Sequence, residues 1–94
     1  MKRKADHELK VRPEFWEALS SGHKSFDVRK DDRSIQLGDV ILFREWCPPG
    51  TERIIGYTGR ECLKLVTYAM RHAEQWGIRE GFVVLALCDT WGEP

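Results

Sequence analysis

From residue 24 onward, the chain consists of short apolar or alternating segments, each ended by a turn-forming group. Residues 24–29 alternate between polar and apolar side chains, which is typical of a half-buried β-strand. Residues 40–43, 62–68 and 82–88 form more continuous apolar runs, as strands covered on both faces do. Because such short runs suit strands better than core helices, the pattern predicts a mainly β fold.

One helix is predicted ahead of these strands. Residues 7–12 alternate and predict a first strand. Pro13 suits the first turn of a helix, where its missing N–H has no intrahelical partner to lose. Phe15, Ala18 and Leu19 form an apolar stripe at helical spacing, and Gly22 predicts the C-terminal cap. The predicted class is therefore α+β, mainly β, with one short N-terminal helix.

The chain has 94 residues, which is enough for one small domain. We predict a single domain over residues 1–94, with a basic tail at 1–6 and a C-terminal fringe at 89–94. Residues 51–60 are predicted to be a hairpin or loop, and residues 71–81 a loop with a helical turn. Five or so short strands with one early helix predict a small, strongly bent β-barrel, because closure hides the sheet edges of a small domain.

Composition excludes several classes of function. The 15 basic and 15 acidic side chains cancel, which argues against binding nucleic acid by bulk positive charge. No segment approaches the roughly 18 apolar residues of a membrane span, and no apolar run follows the basic N-terminus as in a secretory signal. We therefore expect a cytoplasmic protein without membrane contact.

Three cysteines, Cys47, Cys62 and Cys88, lack the close spacing of a zinc site. They are predicted to be reduced thiols, two of them in strands that look buried, since free cysteine behaves as a small hydrophobic residue. No metal or cofactor is expected, although a site built from distant cysteines and histidines stays open.

The densest polar segment is residues 22–33. Asp27 and Arg29 are two positions apart in a predicted strand and should share one of its faces. The alternation predicts that Phe26 and Val28 point inward on the other face. The charged row is either a set of ion pairs on a solvated face, worth about 0–1 kcal/mol each, or one wall of a cleft.

Several motifs carry a resemblance to a known group of proteins. They are His7-x-Leu9-Lys10, Phe15, Gly22-x-Lys24-x-Phe26-Asp27-x-Arg29-x-x-Asp32-Arg33, Gly38-Asp39 and Gly81-Phe82-Val83-Val84-Leu85. Together they resemble a small phage and bacterial family of unknown function that is grouped with the ASCH superfamily of PUA-like folds. The resemblance runs over residues 7–88. It implies a five- to six-stranded pseudo-barrel with the helix against it, and a cleft beside residues 22–33 that binds RNA or modified nucleotides.

The first functional prediction is therefore RNA or nucleotide binding in that cleft. Basic side chains would contact phosphates or a base edge, and an aromatic ring would stack a base, worth about 1–3 kcal/mol. The candidate residues are His7, Lys10, Lys24, Asp27, Arg29, Arg33, Trp46 and Tyr68. For Trp46 and Tyr68, ordinary packing in a barrel with the polar atom at the rim is the favoured alternative. Balanced net charge predicts modest, salt-sensitive binding.

An enzyme is the second possibility. Some ASCH relatives resemble amidohydrolases that act on acylated pyrimidine nucleosides and use a lysine, a threonine three residues later and a downstream glutamate. Lys24 matches the lysine, Asp27 stands in the threonine's place, and Glu74 lies near the place of the glutamate. Because a neighbouring carboxylate keeps a lysine in its poorly nucleophilic form, the departure at Asp27 weakens this prediction.

The third possibility is a phage-type protein that binds and modulates a host protein. Trp16, Trp76 and Trp91 are its candidate anchors, because tryptophan is enriched at the energetic centres of interfaces. The same tryptophans would also serve to fill a small core.

Overall fold

The computed structural model describes residues 5–50 and 55–90. Its elements are β1 (His7–Val11), α1 (Pro13–Ser21), β2 (Phe26–Lys30), β3 (Val40–Cys47), β4 (Gly56–Met70), a 3₁₀ turn (Glu74–Trp76) and β5 (Phe82–Asp89). The mainly β class, the single early helix and the helical turn before the last strand are confirmed. In this part of the chain, no helix has the length and apolar character that crossing a membrane requires.

All five strands belong to one sheet, in the order β1-β3-β4-β5-β2, which curls into a half-barrel. β1 runs parallel to β3, and the other neighbours are antiparallel. β1 and β2 are therefore the two edges, and the described strands show no backbone ladder between them. The strand count agrees with the prediction, whereas the expected closure by strand pairing is wrong and the half-barrel is open between β1 and β2.

The helix α1 lies against the concave side of the sheet. Its Trp16 and Leu19 are 5% and 1% exposed and join the core cluster. The strands contribute the rest of that cluster, including Leu9, Val11, Ile41, Phe43, Val66, Val83, Leu85 and Leu87. The core thus occupies the hollow of the half-barrel, with α1 as its cover.

β4 is longer than the sequence predicts. Residues 56–60, expected to be a hairpin or loop, continue into it, because Tyr57 and Gly56 pair with Trp46 and Cys47. Residues 51–54 of the same predicted segment lie outside the described residues. The pairing is irregular between Arg44 and Trp46 and again between Val66 and Tyr68 in β4, two positions where the sheet bends.

Both predicted terminal segments have members that belong to the fold. Asp6, assigned to the tail, exchanges two 2.8 Å hydrogen bonds with the main chain of Val40, one of them through its carboxylate. Asp89, assigned to the C-terminal fringe, is the last residue of β5. Residues 1–4 and 91–94, which complete those segments and include Trp91, lie outside the described residues.

Candidate functional site

The end of α1 fixes the position of Lys24. Gly22 caps the helix in the left-handed conformation at φ 90°, and its N–H donates to the carbonyl of Leu19. The main-chain N–H of Lys24 then donates to the carbonyl of Ala18 at 2.8 Å. A left-handed residue is the usual device for turning a chain out of a helix, and here glycine adopts it without strain. The turn therefore holds Lys24 at the edge of the half-barrel.

Asp27 is shared by two cations. Nζ of Lys24 donates to the main-chain carbonyl of Phe26 at 2.9 Å and to Oδ1 of Asp27 at 3.4 Å. Nε of Arg29 donates to the other carboxylate oxygen. The three side chains are 14–26% exposed, so they are partly withdrawn from water. The structure thus brings Lys24 to Asp27 and Arg29, the two residues that the sequence predicted to lie side by side.

The side chains of β2 point to the opposite faces of the sheet from those predicted. Asp27 and Arg29 pair across the ladder with Leu85 and Val83, which belong to the core, so the charged row faces the concave side. Phe26 and Val28 are 49% and 48% exposed on the outer face. The prediction that those two apolar residues point inward is therefore wrong. β2 is an edge strand at the open side of the half-barrel, where the concave face is accessible to water.

Arginine side chains bridge the opening between β2 and β1. Nη1 of Arg33 donates to the main-chain carbonyl of Glu8 at 3.1 Å, and Nη2 of Arg29 makes a longer contact of 3.5 Å with the carbonyl of Lys10. Carbonyls two residues apart in a strand point to the same side. These two belong to an edge that has no strand beside it, so the guanidinium groups satisfy acceptors that a closed barrel would pair.

Beside Lys24 lies a partly enclosed cavity of about 280 Å³. It is bounded by the turn after α1 and by the adjoining parts of β4 and β5. Its lining residues are Gly22, Lys24, Ser25, Lys64, Leu87, Cys88 and Asp89. The cavity is slightly smaller than the usual range for ligand sites, which starts at about 300 Å³. It therefore suits one small group rather than a helical nucleic acid.

The sequence-based prediction missed Lys64 and its partner Asp89. The side chain of Lys64 is 3% exposed, and its Nζ donates to Oδ1 of Asp89 at 2.6 Å. Lys64 sits in the interior row of β4, opposite the buried Ile41. One signal was available. Lys64 is two residues from both Cys62 and Val66, so it shares their face of the strand, and this places a lysine on the buried face.

The thiol nearest this pair is Cys62. Burial raises the pKa of Cys62, and the charge of Asp89 adds to that rise while Lys64 opposes it. Cys47 is buried and Cys88 is exposed, and all three cysteines are free. The exposure of Cys88 contradicts the prediction that its strand is fully buried. Across residues 5–50 and 55–90, no group of three histidine, cysteine or carboxylate side chains is arranged to hold a metal ion.

Lys10 and Trp46 lie on the other side of the sheet. Trp46 and Arg44 alternate with buried residues of β3, so both face outward. Nζ of Lys10 lies 4.3 Å from the centre of the Trp46 ring, and the Arg44 guanidinium lies 3.8 Å from the ring centre of Tyr57. Arg44 also pairs with Glu8 and Glu61. This cation–aromatic cluster is separate from the cavity.

The remaining predicted residues are also dispersed. His7 meets Asp39, with 2.8 Å between Nε2 and Oδ2. The main-chain N–H of Gln36 and the His7 ring both bond the Asp39 carboxylate and lower its pKa. Tyr68 is 59% exposed and lies opposite Ala86 on the outer face. Glu74 lies in the connection that enters β5 at Phe82, whereas the cavity lies at the other end of that strand.

Two of the predicted protein-binding anchors are described, and they differ. Trp16 is 5% exposed and belongs to the core, so its prediction as a surface anchor is wrong. Trp76 is 70% exposed in the 3₁₀ turn. The predicted stripe of α1 is wrong at Phe15, which is 46% exposed, because Trp16 faces the sheet in its place.

Comparison with known protein families adds an assignment. Residues 6–87 match the family described as Domain of unknown function (DUF3850), which is most of the chain. The chain belongs to the DUF3850 family. The match includes Lys24, Asp27, Arg29 and Lys64, and it ends just before Cys88 and Asp89. No curated protein gives a significant match to this DUF3850 chain.

Proposed function

We propose that this DUF3850 protein binds RNA or a nucleotide, with one phosphate held in the cavity beside Lys24. The observation that carries the proposal is that two lysines, Lys24 and Lys64, line one small cavity, with Asp89 as the one carboxylate among its lining residues. We also propose that the half-barrel is an ASCH-type, PUA-like fold, which its five strands and single early helix support.

The local charge favours an anionic ligand. Lys24, Arg29 and Lys64 face two carboxylates, Asp27 and Asp89, so the site keeps one positive charge in excess although the whole chain is neutral. A lysine ammonium is a compact phosphate-binding group. Both main-chain and side-chain contacts hold Lys24 in place, so it loses little conformational freedom when an anion arrives.

The same contacts favour binding over hydrolysis. Both atoms that Nζ of Lys24 contacts are oxygen acceptors, an arrangement that suits an ammonium better than an attacking amine. Glu74, the residue nearest the place of the amidohydrolase glutamate, does not line the cavity. The geometry therefore supports a binding site more strongly than an acylated-nucleoside hydrolase.

Fluorescence anisotropy tests the proposal. The probe is a single-stranded RNA of about ten nucleotides with a 5′-phosphate and a 3′ fluorophore, and unlabelled nucleoside monophosphates compete with it. Lys24→Ala should weaken binding by about tenfold, because it removes a charge-assisted contact. The matched control is Lys30→Ala, which removes an exposed lysine at the end of β2. Absence of binding, or equal binding by both variants, would overturn the proposal.

Salt dependence gives a second measurement on the same complex. One or two phosphate contacts on a single strand should give a slope of about −0.7 to −1.4 for the logarithm of the association constant against that of the salt concentration. A much steeper slope would indicate binding along an extended charged surface rather than in the cavity.

A further inference from the structure

Lys64 is a buried cation whose compensation is incomplete. Its ammonium has three N–H donors, and among the described residues Asp89 alone accepts from it. The side chain of Lys64 is 3% exposed, while that of Asp89 is 72% exposed. Burying an ammonium is costly unless its hydrogen bonds are satisfied, so a ligand in the cavity that accepted from the two remaining N–H groups would lower that cost.

Other donors along the cavity wall have spare capacity as well. Nζ of Lys24 uses two of its three N–H groups, on Phe26 and Asp27. Ser25, an exposed residue, also lines the cavity and carries a hydroxyl that can donate a hydrogen bond. Three residues with donor side chains, Lys24, Ser25 and Lys64, therefore line one cavity.

These features match one form of phosphate better than another. A phosphate monoester carries about −1.5 to −2 charges at neutral pH and presents three acceptor oxygens, whereas an internal phosphodiester carries one charge. A diester also needs space for the chain on both sides. The cavity is partly enclosed by the turn after α1 and by the strand ends, and its volume is about 280 Å³.

We propose that the cavity selects a phosphate monoester, and that Lys64 is the residue that distinguishes it from a diester. The monoester is either the phosphate of a free nucleotide or the terminal phosphate of an RNA chain. Lys64 and Lys24 bind its oxygens from two sides, and Ser25 donates a third hydrogen bond. The inference rests on the proposed function, because it specifies the part of the RNA or nucleotide that is bound.

Isothermal titration calorimetry tests this with ligands that differ only in the terminal group. Three arms use the same short RNA with a 5′-hydroxyl, a 5′-phosphate or a 3′-phosphate, and a fourth compares a nucleoside with its 5′-monophosphate. At least one phosphorylated ligand should bind about tenfold or more tightly than its unphosphorylated match. If a phosphorylated RNA binds more tightly than the nucleoside monophosphate, the ligand is an RNA end. If the monophosphate binds as tightly as the RNA, the ligand is a free nucleotide.

Substitutions of Lys64 and Asp89 should change phosphate binding in opposite directions. Lys64→Met keeps the length and burial of the side chain and leaves only the exposed Asp89 behind, so the phosphate preference should fall to within about twofold. Asp89→Asn removes the competing carboxylate and should strengthen phosphate binding severalfold. Thermal melting of each variant, with and without the monophosphate, shows whether the fold is retained.

The outcomes separate this inference from the proposed function. Equal binding of phosphorylated and unphosphorylated ligands would overturn the monoester inference while leaving RNA or nucleotide binding standing. No binding in any arm would overturn both. If Lys64→Met fails to fold, the wild-type comparison of end groups and the sign of the Asp89→Asn effect still decide the matter.

Discussion

Arg33 donates a hydrogen bond from Nη1 to the main-chain carbonyl of Glu8, 3.1 Å away, across the opening between the two edge strands of the sheet. Arg33 follows β2 in the chain, and Glu8 is in β1, the strand at the opposite end of the sheet order. A side chain thus provides what backbone pairing provides in a closed barrel. The half-barrel is held in its curled shape partly by this contact and by the neighbouring one from Arg29.

Removal of Arg33 should loosen β1. Arg33→Ala is expected to lower the free energy of unfolding by about 0.5–1.5 kcal/mol, the usual value of one hydrogen bond. It should also raise amide hydrogen exchange in residues 7–11 more than in β5. The control is Arg79→Ala, which removes an exposed arginine outside the strands. Unchanged exchange in β1 would show that the guanidinium bridge does not hold that edge.

The sequence predicted the elements well because local signals specify them. Pro13 and Gly22 bracket the helix, and the apolar run that begins at Val40 marks β3. The extension of β4 back to Gly56 was not predictable from residues 56–60 alone. Those residues are mostly polar, and they become a strand only because Trp46 and Cys47 of β3 offer a partner.

The candidate site was predicted only in part, for a different physical reason. Asp27 and Arg29 were placed on one strand face by the two-residue period, but the period does not say which face is concave. Lys64 and Asp89 are 25 residues apart, and their contact depends on the register of β4 against β5. Such a register is a property of the whole sheet, and a single sequence does not specify it.

Asp27 holds two cations that would otherwise be available to an anion. Asp27→Asn should therefore strengthen binding of a nucleoside monophosphate severalfold, because it removes a nearby negative charge. The control is Asp32→Asn. The side chain of Asp32 is 65% exposed, and its carboxylate makes a long contact of 4.0 Å with Arg33. Calorimetric titration measures both. Weaker binding by Asp27→Asn would mean that the carboxylate mainly positions Lys24, contrary to this expectation.

Two tryptophans should differ sharply in their effect on stability. Trp16→Ala is expected to cost about 3–5 kcal/mol, because it leaves a cavity between α1 and the sheet. Trp76→Ala, at a site that is 70% exposed, should change stability by less than about 0.5 kcal/mol. Urea unfolding followed by circular dichroism gives both values. A large loss for Trp76→Ala would show that the 3₁₀ turn is part of the core.

The buried carboxylate of Glu45 should make the protein sensitive to its partner. Glu45 is 1% exposed, and Arg60 binds both of its oxygens at 2.8 and 3.1 Å. Arg60→Met removes that guanidinium while the charge stays buried, so it should lower the urea midpoint more than Glu45→Gln does. After Glu45→Gln, the half-exposed Arg60 can turn to water. The reverse order of the two midpoints would contradict this account of the pair.

Acid should weaken the protein through Asp31. Arg71 donates to both of its carboxylate oxygens, at 2.6 and 3.0 Å, and these hydrogen bonds lower the pKa of Asp31 below its ordinary 3.8. A carboxyl group with a lowered folded-state pKa stabilises the fold fully above its ordinary pKa, and that contribution disappears as the pH falls through the lowered value. The pair joins the end of β2 to the end of β4 and is about one-quarter exposed, so its contribution should stay below about 1 kcal/mol.

The measurement is the free energy of unfolding in urea at several pH values between neutrality and pH 2. Wild-type stability should fall more steeply below pH 4 than that of Asp31→Asn or Arg71→Met. Each substitution removes one member of the same pair, so the two variants should have equally shallow acid dependence. A variant curve as steep as that of the wild type would show that other carboxylates account for the acid sensitivity.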